Sequence, residues 1–217
     1  VIDSLNQTNH GYAPGVLSYQ DLCRLVAQGV AKGVRPEHIN ASSIDLTCGD
    51  TVLYEEVPAT MSARRVNLAS RDPLAFREKK VTAEHPVLLT PGDFALVTSR
   101  EVFNLPPWLS ATYCASSTMS RSGLSTLNPH WLSAGWRGSS LVIELKNLTQ
   151  HHFLTIPPGT KLGQVVFFAH AHVPEHASYG ARGAYNEQDK PVAAHAARIT
   201  SKTSRWRREN KCLACGF

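Results

Sequence analysis

Prolines and glycines punctuate this chain from end to end, thirteen of one and fourteen of the other. That spread suits many short strands joined by turns better than a helical bundle. The apolar runs between them are short: Val87 to Leu89, Phe94 to Thr98, Leu109 to Cys114, Phe153 to Ile156 and Leu162 to Phe168. Pro91-Gly92-Asp93 and Pro157-Pro158-Gly159 supply turns. Residues 39–56 have strand character, with a turn expected at Cys48-Gly49-Asp50. Residues 57–80 are polar, with Arg64, Arg65, Arg71, Lys79 and Lys80, and are expected to run over the surface. One segment reads as a helix. Ser18 and Asp21 have capping-box spacing, followed by Leu22, Leu25, Val26 and Val30, with Gly29 and Gly33 where the helix should stop. The fold class expected is mostly β, with a short N-terminal helix and flexible terminal extensions.

A chain of 217 residues fits one domain with a substantial core. That domain is expected over residues 1–197, with its core at about 16–190, and a basic tail at 198–217. The tail carries Arg198, Lys202, Arg205, Arg207, Arg208 and Lys211 against Glu209. These charges account for the whole formal net charge of +5 and leave the body neutral. Nucleic-acid binding is therefore an option for the tail alone, through phosphate contacts and Trp206; a solvated extension is the other reading. No stretch approaches the length needed to span a bilayer. The first fifteen residues lack the basic and apolar regions of a signal peptide. Five scattered cysteines do not suggest a disulfide framework, so a soluble, cytoplasmic protein is expected.

Most of the chemistry sits between Ser116 and Asn147. Hydroxyls, Arg121 and several glycines lead into the apolar run Leu141-Val142-Ile143-Glu144-Leu145. Strand alternation puts Leu141, Ile143 and Leu145 on one face and Val142 and Glu144 on the other. Burying an unpaired carboxylate is costly, so Glu144 should face a cleft, an interface or solvent. Zinc-dependent deamination would need an H-x-E element and a P-C-x-x-C element. The first is absent, and Cys212-Leu213-Ala214-Cys215 lacks both the proline and a second ligand pair, so no zinc is expected.

Seven motifs occur in an order that resembles the deoxycytidine triphosphate deaminase and dUTPase superfamily, closer to its deaminase branch. Ile39 to Leu46 is similar to "PASIDLRLG", Leu89 to Phe94 to "L.PG.F", and Val102 to Pro106 to "V.LP". Ser116 to Leu124 resembles "RSSLARLGL". Gly135-Trp136-Arg137-Gly138 with Glu144 to Asn147 resembles "GW.G" and "LE..N", and Pro158 to Gln164 resembles "PG..IGQ". The resemblance spans roughly residues 16–190. It implies a distorted β barrel, a homotrimer with active sites at subunit boundaries, and metal-free attack of water on C4 of cytosine. Glu144 would be the base and then the acid, with Ser117 and Arg121 as supporting partners. Ser116, Thr118, His130, Trp131, Leu132, Ser133, Tyr179 and Gln188 would contact the substrate, Trp131 and Leu132 at the base. Mg²⁺ would accompany the phosphates of a pyrimidine deoxynucleotide and take no part in the deamination. A partly desolvated Glu suits base-then-acid work near neutrality, and a hydroxyl with a guanidinium can hold the water and the developing charge.

Three positions depart from the family pattern. Ser116 stands where the motif opens with a phosphate-contacting arginine, and Ala184 where the closing segment has a lysine. Arg137 or Arg182 are the cations at hand to replace them. Ser133 stands where an aspartate serves the sugar or, in dUTPases, the attacking water. The residues therefore point to dCTP or a close relative such as dCMP or a 5-modified dCTP. A dUTPase-type or bifunctional hydrolase and a non-catalytic nucleotide-binding protein of the same fold are the alternatives.

Overall fold

The computed structural model describes residues 10–56, 65–66 and 74–194. The basic tail, Trp206, Cys212 and Cys215 lie outside the described residues, as do Arg64 and Arg71. The chain divides into a unit of Val1–Tyr54 with Glu78–Val192 and a second of Glu55–Arg77 with Ala193–Phe217.

The first unit is mostly β. A two-residue strand β1 (Gly15–Val16) precedes helix α1 (Tyr19–Ala27). The helix begins where the sequence places it: Ser18 and Asp21 complete a capping box, and Leu22 and Leu25 face the core. Gly29 and Gly33 follow with positive φ. Then come β2 (Ala31–Lys32), β3 (Ile44–Glu55), β4 (Phe76–Lys80), β5 (Val87–Leu89), β6 (Phe94–Phe103) and β7 (Leu109–Ala115). A five-residue helix α2 (Ser117–Arg121) leads to β8 (Leu124–Thr126), β9 (Trp131–Leu132), β10 (Ser139–Asn147), β11 (Leu154–Ile156), β12 (Lys161–Ala169) and a last short helix α3 (Tyr179–Arg182).

The main sheet runs β8-β10-β6-β3-β12-β7-β9 and curls into a distorted barrel, while β11 and β5 pair separately. Each pair whose register is described is antiparallel. Antiparallel strands with one face on the core explain the alternating sequence pattern. Phe103, Tyr113, Phe167, Leu46, Leu109 and Leu141 are among the fully buried side chains inside the curl.

One expectation needs correction. The turn at Cys48-Gly49-Asp50 is an interior stretch of β3, with a register shift between Cys48 and Val52. Gly49 serves a close approach instead: a Cβ there would stand 2.8 Å from Thr98 Oγ1 and 2.9 Å from its carbonyl oxygen. The described end of the polar run 57–80 is strand β4, whose charged residues are exposed along a solvated edge, in keeping with a segment at the surface.

The pairing of β3 with β6 also uses a carboxylate that sequence reading overlooked. Glu101 is 1 % exposed. It accepts hydrogen bonds from Thr47 N at 2.9 Å and Thr47 Oγ1 at 2.8 Å, tying β6 to β3. Burial of this group is satisfied locally. Glu144 Oε2, by contrast, has no aligned hydrogen-bond donor among the described residues.

Candidate functional site

β10 shows the alternation expected of it: Leu141, Ile143 and Leu145 are buried, while Val142 and Glu144 are half-buried on the other face. Its neighbour β8 pairs Thr126 with Leu145, and Leu127 N–H donates to Glu144 O at 3.0 Å. The chain then crosses from the edge of β10 to β9, which pairs with β7. That crossing, Leu127 to His130, swings an imidazole over the carboxylate.

His130 Nε2 lies 2.9 Å from Glu144 Oε2, and their side chains keep 11 % and 28 % of their exposure. Neither atom makes an aligned hydrogen bond to a described residue. The approach is therefore a close polar contact imposed by the loop rather than a well-directed bond. The loop imposes it at a cost: His130 has φ +43°, a left-handed conformation disfavoured for a residue with a Cβ. Asn128 braces it, its Oδ1 accepting from His130 N at 3.0 Å and its Nδ2 standing 3.3 Å from His130 Nδ1.

Tyr113 walls the other side of the imidazole, edge-on with ring centroids 5.8 Å apart. Its hydroxyl donates to Leu162 O at 3.1 Å. Burial, with the nearby Glu144 charge adding to it and a Thr126 hydrogen bond opposing, pushes the phenol up to about 12. Tyr113 is thus a neutral wall beside the imidazole.

Ser117, Thr118 and Arg121 are exposed on α2, which lies against β8, and Ser116 caps that helix with its N–H bonded to Leu162 O at 3.0 Å. Gly123 ends the turn at φ +82°, where a Cβ would meet Thr149 Cγ2 at 2.4 Å. Among the described residues no hydrogen bond or ion pair joins Ser117 or Arg121 to Glu144; the group in contact with the carboxylate is His130.

The remaining candidates fall into two places. Trp131 is 60 % exposed and stacks on Phe168, beside His130 in the chain. Leu132, by contrast, is fully buried in the core, backbone included. Ser133 contributes its carbonyl to Trp136 N–H at 3.2 Å. Tyr179 stacks on Trp136 with centroids 4.8 Å apart, and its hydroxyl accepts Tyr185 N–H at 3.3 Å. Gln188 bonds through its backbone to Ser139 Oγ and Ser140 N. Tyr179 and Gln188 thus flank the start of β10, about 13–17 Å along the strand from Glu144 in the same chain. Arg137 lies over Gly180 so closely that a Cβ there would stand 2.6 Å from its Nε.

Residues 16–170 match the model of the dCTP deaminase-like family. A protein of Persephonella marina named "dCTP deaminase, dUMP-forming" is 32 % identical over 157 residues, 72 % of this chain and 82 % of the relative. A protein of the same name from Aquifex aeolicus is 27 % identical over 70 % of this chain and 80 % of the relative. Among solved structures, the 2′-deoxycytidine 5′-triphosphate deaminase of Agrobacterium tumefaciens shares the fold, with a TM-score of 0.57 and 19 % identity. That match covers 72 % of this chain and about half, 49 %, of the solved one.

Proposed function

The chain belongs to the dCTP deaminase-like family, and on that footing we propose that it converts dCTP or a close relative to the uracil nucleotide and ammonia without a catalytic metal. The observation that carries the reading is Glu144: a half-buried carboxylate on a largely apolar strand, facing a polar loop, whose Oε2 has no aligned donor among the described residues, unlike the satisfied Glu101. Glu144 takes a proton from water as the oxygen adds to C4, and that proton ends on the ring nitrogen N3. It then carries the proton of the new hydroxyl to the departing amine, the C4–N4 bond breaks, and a carbonyl forms. Ser117 and Arg121, on the neighbouring α2, would hold the water and the developing charge.

Trimerisation would complete this site, since Tyr179 and Gln188 stand far from Glu144 within one chain; the same segment of a second copy would close over the substrate. Mg²⁺ would travel with a polyphosphate. Its ligands would include phosphate oxygens and water. We place the work of such an enzyme in the cytoplasm, where deoxynucleotides are made.

Pyrophosphate release after deamination is a second reading, favoured by the "dUMP-forming" name of the relatives and opposed by Ser133 in place of the expected aspartate. The test is product analysis by chromatography and mass spectrometry with dCTP, dCMP, dUTP and 5-substituted dCTPs. An amine replaced by oxygen with phosphates retained supports deamination alone. Loss of pyrophosphate as well supports the bifunctional reading, and unchanged nucleotides contradict both.

A further inference from the structure

We propose that His130 is a positioning residue for the reaction: as a neutral imidazole protonated on Nε2, it orients the Glu144 carboxylate toward the attacking water. The inference rests on the deaminase reading above and adds a residue to it.

The tautomer follows from the bracing of the loop. Asn128 Oδ1 accepts from His130 N at 3.0 Å, which fixes the orientation of the side-chain amide. The amide therefore turns its NH₂, a pure donor, toward His130 Nδ1 at 3.3 Å. Nδ1 must accept, so the single ring proton resides on Nε2, the atom 2.9 Å from Glu144 Oε2. A second ring proton would set two donors against each other at Asn128. His130 is thereby held as a donor to the carboxylate rather than as a competing base.

Three features mark the arrangement as more than packing. The backbone at His130 is left-handed at φ +43°, a conformation that glycine would adopt more easily. The ring is fixed from the other side by Tyr113. The contact is short yet not aligned as a hydrogen bond, and a catalytic hydrogen bond can be poorly aligned until it tightens in the reacting complex. Held at Oε2, the carboxylate keeps Oε1 free to face the water.

The test is steady-state deamination by the full chain carrying His130→Gly, His130→Gln or His130→Leu, beside wild type and Glu144→Gln. His130→Gly is expected to lower kcat about 100-fold with KM within about threefold of wild type. Added imidazole should restore part of the rate, and thermal stability should not fall, because glycine relieves the left-handed strain. His130→Gln keeps an N–H donor and should outpace His130→Leu by about tenfold or more. An unchanged kcat in His130→Gly, a loss confined to KM, no imidazole rescue, or equal rates in the Gln and Leu variants would each overturn the proposal. If His130→Gly does not fold, the Gln and Leu pair decides alone. Full activity in Glu144→Gln overturns the deaminase reading and this inference with it, whereas failure of the His130 series alone leaves that reading standing.

Discussion

The ring of Tyr113 packs on the backbone of Gly163 so tightly that a Cβ at 163 would lie 2.4 Å from Tyr113 Cε2 and 2.4 Å from the carbonyl oxygen of Cys114. This contact joins the packing of β7 on β12 to the site, because the same ring walls His130. Gly163→Ala is therefore expected to cost about 1–3 kcal/mol, read from the denaturant midpoint. Pairing it with Tyr113→Leu should recover part of the loss, since the two residues touch. Additive losses in the double variant would contradict the contact.

Helix α1 supplies a pH-dependent prediction. Burial pushes the Asp21 carboxyl up, but hydrogen bonds from Ser18 and the Arg24 guanidinium outweigh it and hold the group below its ordinary value of 3.8. A carboxyl lowered on folding stabilises the native state above that value, and the contribution is lost as pH falls through the lower folded value. Asp21→Ala should cost about 0.5–2 kcal/mol near neutrality, with the gap to wild type narrowing in acid. A gap independent of pH between 6 and about 2.5 would contradict the assignment.

The cysteines divide by burial. Cys48 is in the core, and burial, partly offset by Arg100, pushes its thiol up to about 12, whereas Cys114 is exposed at the end of β7. Only thiolate reacts readily with alkylating agents. Peptide mapping after iodoacetamide at mildly alkaline pH should find Cys114 modified in the native protein and Cys48 only in denaturant. Native labelling of Cys48 would contradict its place inside β3.

Much of the site was legible in the sequence because strand period and side-chain chemistry are local. The alternation of β10 placed Glu144 off the core, and Ser18 with Asp21 marked the start of α1. Gly49 misled because a glycine at a close strand approach has the same local signature as one in a turn. The His130–Glu144 contact depends on β8 and β9 pairing with different strands, so no local pattern carries it. The one sequence signal for it was Asn128-Pro129-His130, an Asx-type turn capable of bracing a ring. Glu101 looked like any strand carboxylate, since its donors come from Thr47, far away in the chain.

The departures at 116 and 184 predict how the phosphates are read. Restoring cations with Ser116→Arg and Ala184→Lys should lower KM for dCTP by about tenfold or more, as a charge-assisted hydrogen bond is worth roughly 1.5–3 kcal/mol. KM for the deoxycytidine nucleoside should stay within about twofold. An unchanged dCTP KM would show that other groups, such as Arg137, already fill the role.

The most direct measurement compares wild type with Glu144→Gln on dCTP, following ammonia and the uracil nucleotide while checking that the variant folds. Wild type should turn over, and the variant should lose about 10²–10⁴ in kcat at an unchanged unfolding temperature. A folded Glu144→Gln protein that deaminates at the wild-type rate would contradict the account.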